Sequence, residues 1–131
     1  MDKVLVIIPT YNESANIEKI ITLIFKVNNN YNILVVDDKS PDGTYEIVKK
    51  LSTDNDRINL IIRDKRLGLG RAYCDGFNYA IKKKYDKVIQ IDADLSHNPN
   101  DICRLIDEAA TYDLIIGSRY INGVNVVNWP M

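Results

Sequence analysis

Two aspartates, Asp92 and Asp94, stand either side of Ala93 where an apolar run, Lys87 to Ile91, comes to an end. Side chains at i and i+2 project to the same side of an extended backbone, so this pair can reach one divalent cation together. Mg2+ and Mn2+ are hard cations commonly held by one or two carboxylates, with water and a substrate's phosphates completing the shell. An Asp-x-Asp by itself is a weak sign, because acidic pairs also end ordinary strands in turns. Its weight depends on what the rest of the chain brings to the same place. Asp37-Asp38 closes a second apolar run, Tyr11 and Glu13 follow a third, and Arg119 follows a fourth.

The elements that must position these residues alternate in type. Val4–Ile8 is a continuous apolar run of the kind buried on both faces of a parallel sheet, with Pro9 ending it. A helix is predicted from Ala15 to Val27, with Ile17, Ile20, Ile21, Ile24 and Phe25 as its buried stripe. Ile33–Val36 reads as a second strand. Ser40 as cap and Pro41 at the first helical position open a second helix carrying Tyr45, Ile47, Val48 and Leu51 inward. Asn59–Ile62 is a third strand and Arg71–Lys83 a third helix. Asn98-Pro99 starts a fourth helix after the strand bearing the aspartates, and Leu114–Gly117 is a fifth strand. This alternation predicts an α/β fold, an open, mostly parallel sheet with helices on both faces. Right-handed crossovers put every strand's carboxyl end on one rim, where such sheets bind their ligands. Tyr11, Glu13, Asp37, Asp38, Asp92, Asp94 and Arg119 therefore converge in space.

That many carboxylates on one rim repel each other unless a cation or hydrogen-bond donors occupy the space between them. A nucleotide supplies both, through its base and ribose and through a metal-bearing diphosphate. Asp38 is assigned to base or ribose, Asp92 to ribose and metal, and Asp94 most directly to the metal. No phosphate-binding glycine loop follows the first strand, and Gly68-x-Gly70 lacks a third glycine. Diphosphate recognition therefore falls to the metal, with Arg119 as candidate phosphate clamp. The blander readings are turn chemistry for Asp42 and Gly43, packing for Tyr73, Phe77 and Tyr79, and a cap or an exposed position for His97.

Composition narrows the class. With 131 residues the chain is one domain's worth, and 46% hydrophobic with 27% charged residues is ordinary for a globular protein. A net charge of -1 gives no general electrostatic reason to bind nucleic acid. Lys82-Lys83-Lys84 closes a predicted helix, where cations suit the carboxyl end of the dipole. No apolar run reaches the roughly 20 residues needed to span a bilayer, and no signal peptide is evident. Cys74 and Cys103 lack metal-type spacing; reduced, partly buried thiols in a cytosolic setting are expected.

Five ordered motifs carry a resemblance. Pro9-Thr10-Tyr11-Asn12-Glu13, Asp37 to Thr44, Gly68-Leu69-Gly70, Asp92-Ala93-Asp94-Leu95-Ser96-His97 and Gly117-Ser118-Arg119-Tyr120 resemble the inverting family 2 glycosyltransferases of GT-A fold. Val126-Val127-Asn128-Trp129-Pro130 is similar to the dolichol- or polyprenyl-phosphate mannosyltransferase branch. The resemblance implies a Rossmann-like nucleotide-sugar-binding domain over residues 1–131, incomplete at its C-terminus because members run well past Met131. It implies metal-dependent transfer of mannose from GDP-mannose to a polyprenyl (dolichyl) phosphate at the cytoplasmic face of a membrane. Pro9, Tyr11, Glu13, Val36 and Asp38 match the family's nucleotide-pocket positions, and Asp92, Ala93, Asp94 and Arg119 those touching ribose, metal and diphosphate. Lys39 stands where the family usually has glycine. A missing antiparallel strand would leave a sheet edge open to self-association.

A lipid phosphate is already largely anionic near neutral pH, its second pKa being about 6, so no general base is expected. Alternatives are a nucleotide- and metal-binding fragment without activity, or a UDP-glucose-dependent lipid-phosphate glucosyltransferase. A sugar-1-phosphate nucleotidyltransferase would want a glycine-rich basic loop where Pro9 to Ser14 stands. A phosphoacceptor receiver domain would want a lysine near Arg119 and its acidic pair near Glu13.

Overall fold

The computed structural model describes residues 2–64 and 68–117. Four strands, β1 (Val4–Thr10), β2 (Asn32–Asp37), β3 (Ile58–Ile62) and β4 (Lys87–Gln90), form one sheet in the order β3-β2-β1-β4. Every pairing is parallel. The helices are α1 (Ile17–Val27), α2 (Thr44–Asp54), α3 (Leu69–Lys82) and α4 (Ile102–Glu108), the last entered through a 3₁₀ turn at Pro99–Asp101.

Alternation along the central strands divides the core in two. Val4, Val6, Ile8, Ile33 and Val35 face α1, α2 and α4, meeting Ile17, Ile20, Ile24, Val48 and Ile102. Leu5, Ile7, Leu34 and Val36 face the other way, onto Ala72 and Ala80 of α3. Helices thus cover both faces, as the sequence predicts. All seven residues of β1 are buried, which is why it reads as an unbroken apolar run. Gly76 lets α3 lie close to β1: a Cβ there would meet Ile7 Cδ1 at 2.7 Å and Cγ2 at 2.8 Å.

Several details differ from expectation. Pro9 does not end β1; the strand runs on, pairing Pro9 with Val36 and Thr10 with Asp37. Proline is tolerated because position 9 faces β4, like Ile7, whose carbonyl accepts from the Ile91 amide. The ladder to β4 has stopped by then, its last pair being Ile7 and Gln90, so no bond is lost. Ser40 is not a helix cap, because its amide and hydroxyl are both committed to Asp37. α2 starts four residues later, where the Asp42 carboxylate accepts the Thr44 amide at 3.0 Å.

No strand is found over the described part of the 114–117 run. Leu114 and Ile116 are exposed there, and β4 has no partner on its outer side among the described residues. Without a neighbour a single apolar segment has no ladder to join. Cys74 and Cys103 are free and exposed rather than partly buried. Among the described residues no helix is long and apolar enough to cross a membrane.

Candidate functional site

The carboxyl ends of β1, β2 and β4 open into a cavity of about 310 Å³ lined by Pro9, Thr10, Tyr11, Glu13, Asp38, Gly68, Leu69, Asp92, Ala93 and Asp94. Seven of the nine expected site residues meet here: Pro9, Tyr11, Glu13, Asp38, Asp92, Ala93 and Asp94. Val36 is not among them; its side chain is fully buried in the core facing α3. Arg119 lies outside the described residues. Thr10, Gly68 and Leu69 belong to the wall as well. The glycine-bearing loop that carries the last two was the available signal for them.

The loop after β1 is fastened to the loop after β2 by three successive amides. Asn12 donates to Ser40 Oγ at 2.9 Å, Glu13 to Thr44 Oγ1 at 3.0 Å and Ser14 to Asp42 Oδ2 at 3.1 Å. The Ser-Pro-Asp-Gly-Thr stretch therefore holds the backbone that presents Tyr11 and Glu13. Burial pushes the Asp42 carboxyl upward, but donation from Thr44 and Ser14 outweighs it and holds the group at about 2.

Asp37 and Asp38 divide their work. Asp37 is fully buried and accepts from Thr10 Oγ1 at 2.6 Å, Ser40 Oγ at 2.7 Å and the Ser40 amide at 2.7 Å. It ties β1 to β2 and offers nothing to the cavity. Asp38, 7% exposed, reaches the cavity wall, with Arg63 Nε 3.3 Å from its Oδ1.

The Asp-x-Asp stretch does not stay extended. β4 ends at Gln90, Ala93-Asp94 is a turn, and Leu95 takes a left-handed φ of 67°. Both carboxylates still reach the cavity, through the turn rather than through strand alternation. Asp92 accepts the Tyr73 hydroxyl at 3.2 Å, and its amide donates to His97 Nδ1 at 3.2 Å. His97 thus folds the loop back on itself. Burial, then the neighbouring Asp92 charge and their hydrogen bond, push the Tyr73 phenol well above its ordinary range, keeping it a donor. Tyr73 also stacks on Phe77 at 6.3 Å between centroids, so its packing role holds and its polar role was missed. The Asp94 carboxyl is raised by burial but lowered overall by hydrogen bonding from Ser96, whose amide lies 2.9 Å from Oδ1.

This donor set suits a hard divalent cation held openly. Asp92 and Asp94 supply oxygen only, and among the described residues no group of three or more His, Cys, Asp or Glu could hold a metal. Protein oxygens alone do not close a shell here, and a ligand's phosphates and water would complete it.

A parallel α/β sheet with an acidic cavity at its strand ends defines a class of domain that takes its ligand on that rim. Within the class, the sequence profile of glycosyl transferase family 2 matches residues 5–131, and the chain belongs to that family. It is 44% identical over 130 residues to polyprenol monophosphomannose synthase from Mycolicibacterium smegmatis, covering 98% of this chain and 49% of that protein. It is also 44% identical over 131 residues to dolichol-phosphate mannosyltransferase from Pyrococcus furiosus, covering 98% of this chain and 36% of that one. The chain thus spans about half the length, or less, of these relatives.

Two solved structures share the fold. A mannosyltransferase from Pyrobaculum calidifontis in complex with GDP-Man and Mn2+ is 28% identical, with a TM-score of 0.55 over 60% of this chain and 24% of that one. Glucosyl-3-phosphoglycerate synthase from Mycobacterium tuberculosis, in complex with Mn2+, UDP and glucosyl-3-phosphoglycerate, is 25% identical with a TM-score of 0.63 over 84% and 40%.

Proposed function

We propose that residues 1–131 form the nucleotide-sugar-binding domain of a glycosyltransferase that moves mannose from GDP-mannose to a polyprenyl (dolichyl) phosphate at a membrane surface. The observation that carries this is the cavity that gathers seven of the nine expected residues, four of them acidic. The 44% identity to two lipid-phosphate mannosyltransferases supports mannose and a polyprenyl phosphate, and the GDP-Man complex of a structural neighbour supports guanine.

Asp38 accepts hydrogen bonds from the base or ribose, and Tyr11 and Pro9 frame the same end. Asp92 and Asp94 would hold Mg2+ or Mn2+, and that cation would neutralise charge on the departing diphosphate. Arg119 is assigned to the diphosphate by its place in the sequence. The acceptor phosphate brings its own negative oxygen. That oxygen bonds to the anomeric carbon as the bond to the diphosphate breaks, inverting the centre. No residue of this chain needs to remove a proton.

Calorimetric titration with GDP, UDP, GDP-mannose and UDP-glucose, each with and without Mn2+, tests the reading. Metal-dependent binding that favours the guanine nucleotides is expected. The Asp94→Ala chain should lose the metal-dependent part, at least about tenfold or about 1.4 kcal/mol. Equal binding by that variant removes the metal assignment, and a preference for UDP moves the reading to the glucosyltransferase alternative.

A further inference from the structure

Among the described residues, one buried charged side chain, that of Arg63, has been given no task so far. Arg63 follows β3, and its amide extends the ladder by donating to the Asp37 carbonyl at 2.8 Å. Its side chain is 6% exposed. Nε lies 3.3 Å from Asp38 Oδ1 and 3.5 Å from Asp75 Oδ2, and an Nη donates to the Gly68 carbonyl at 3.5 Å. These three partners come from the end of β2, the body of α3 and the residue preceding α3. Arg63 itself is not part of the cavity wall, whereas Asp38 and Gly68 are.

We propose that Arg63 is the positioning residue of the nucleoside end of the cavity. It acts through Asp38 and Gly68 rather than by touching the ligand. The inference rests on the nucleotide reading above and deepens it. A carboxylate as enclosed as Asp38 is costly without a cation beside it, and Arg63 supplies that counter-charge at 3.3 Å. Guanidinium is the group for this place: it is planar, permanently charged, and directs several donors at once toward acceptors on different elements. A lysine ammonium offers one centre and cannot span all three partners. Asp75, with a side chain 48% exposed, meets the same Nε from the solvent side and balances the remaining charge, while an Nη turns to the Gly68 carbonyl. The base end and the metal end of the cavity are therefore held by separate supports, Arg63 under Asp38 and Tyr73 under Asp92.

That separation supplies the test. The chain is titrated with GDP plus Mn2+, and separately with pyrophosphate plus Mn2+, which occupies the metal end alone. Arg63→Met is expected to weaken GDP at least about tenfold while pyrophosphate stays within about twofold. Arg63→Lys should recover part of the GDP loss, and Asp75→Asn should cost less than Arg63→Met, because Asp75 is half exposed. Unchanged GDP affinity in Arg63→Met overturns the proposal. So does parallel loss of GDP and pyrophosphate, which marks a general structural role. Should Arg63→Met fail to fold, Arg63→Lys carries the same comparison, and GDP binding equal to native overturns the proposal there too. If the native chain binds pyrophosphate and Mn2+ but not GDP, the nucleotide reading itself falls, and this inference with it.

Discussion

Replacing Asp37 by asparagine separates the two adjacent aspartates, because the structure gives Asp37 a purely structural task. The native carboxylate receives three buried hydrogen bonds of 2.6 to 2.7 Å. Asparagine keeps one acceptor, for the Thr10 and Ser40 hydroxyls, but sets an NH2 against the Ser40 amide. One charge-assisted bond is lost, worth about 1.5–3 kcal/mol, and a buried amide is left facing another donor, at about 1–3 kcal/mol. Partial relaxation of the loop reduces the sum, and a net cost of about 2–4 kcal/mol is expected. A domain of this size has only about 5–15 kcal/mol in total. Urea unfolding followed by far-UV circular dichroism should show a lower midpoint at unchanged m-value, with Tm down by roughly 6–20 °C. Ser40→Ala removes the hydroxyl that both donates to Asp37 and accepts from Asn12. The double variant should therefore cost less than the sum of the singles, since both act on one network. A loss below about 1 kcal/mol for Asp37→Asn, or strict additivity with Ser40→Ala, refutes the reasoning.

Three further outcomes are expected. Tyr73→Phe removes the donor to Asp92 without changing packing volume, so Mn2+ affinity measured with pyrophosphate should fall about tenfold while stability moves by less than about 1 kcal/mol. Unaltered Mn2+ affinity would show that Asp92 needs no such support. Gly76→Ala should destabilise by about 1–2 kcal/mol despite alanine's better helix propensity, because the new methyl collides with Ile7; Ile7→Val in the same chain should recover part of it. Acid titration reports on Asp42, whose folded value of about 2 lies below the ordinary 3.8. A depressed value adds stability that is complete above the unfolded value and fades as pH falls toward 2. Asp42→Asn should flatten the stability profile between about pH 4 and about pH 2, and leave its shape above that window unchanged.

The fold was legible because burial on both faces writes itself plainly into sequence. Val4 to Ile8 and Ile33 to Val36 can only be central strands, and the helical stripe of Ile17, Ile20, Ile21 and Ile24 has one apolar side to hide. Once the strands are known, their carboxyl ends follow from chirality, and so does the meeting of Glu13, Asp38, Asp92 and Asp94. The site's finer wiring was not legible. Asp38 was assigned to the ligand and does line the cavity, but the structural task of Asp37 was not legible, since it depends on hydroxyls at positions 10 and 40 arriving from other elements. Arg63 looks like an ordinary residue at a strand end until α3 brings Asp75 and Gly68 against it. A strand at Leu114 was expected from its apolar residues, yet pairing needs a neighbour as well as a pattern. Ser40 followed by Pro41 has the letters of a helix start, but a buried carboxylate three residues back outcompetes the helix for the serine.

Each of the three loops leaving β1, β2 and β4 turns through a residue in the left-handed region that is not glycine: Asn12 at φ 57°, Lys39 at 55° and Leu95 at 67°. The φ of Lys39 is one that glycine adopts at no steric cost. Asparagine takes such a bend readily, but the side chains of Lys39 and Leu95 work against their own chirality there by about 1–2 kcal/mol each, a tension the surrounding bonds must hold closed. Two of the three loops that lead into the cavity are therefore sprung, while the strands behind them carry no such bend. Any loosening of this protein should begin at those two bends, long before the strands part.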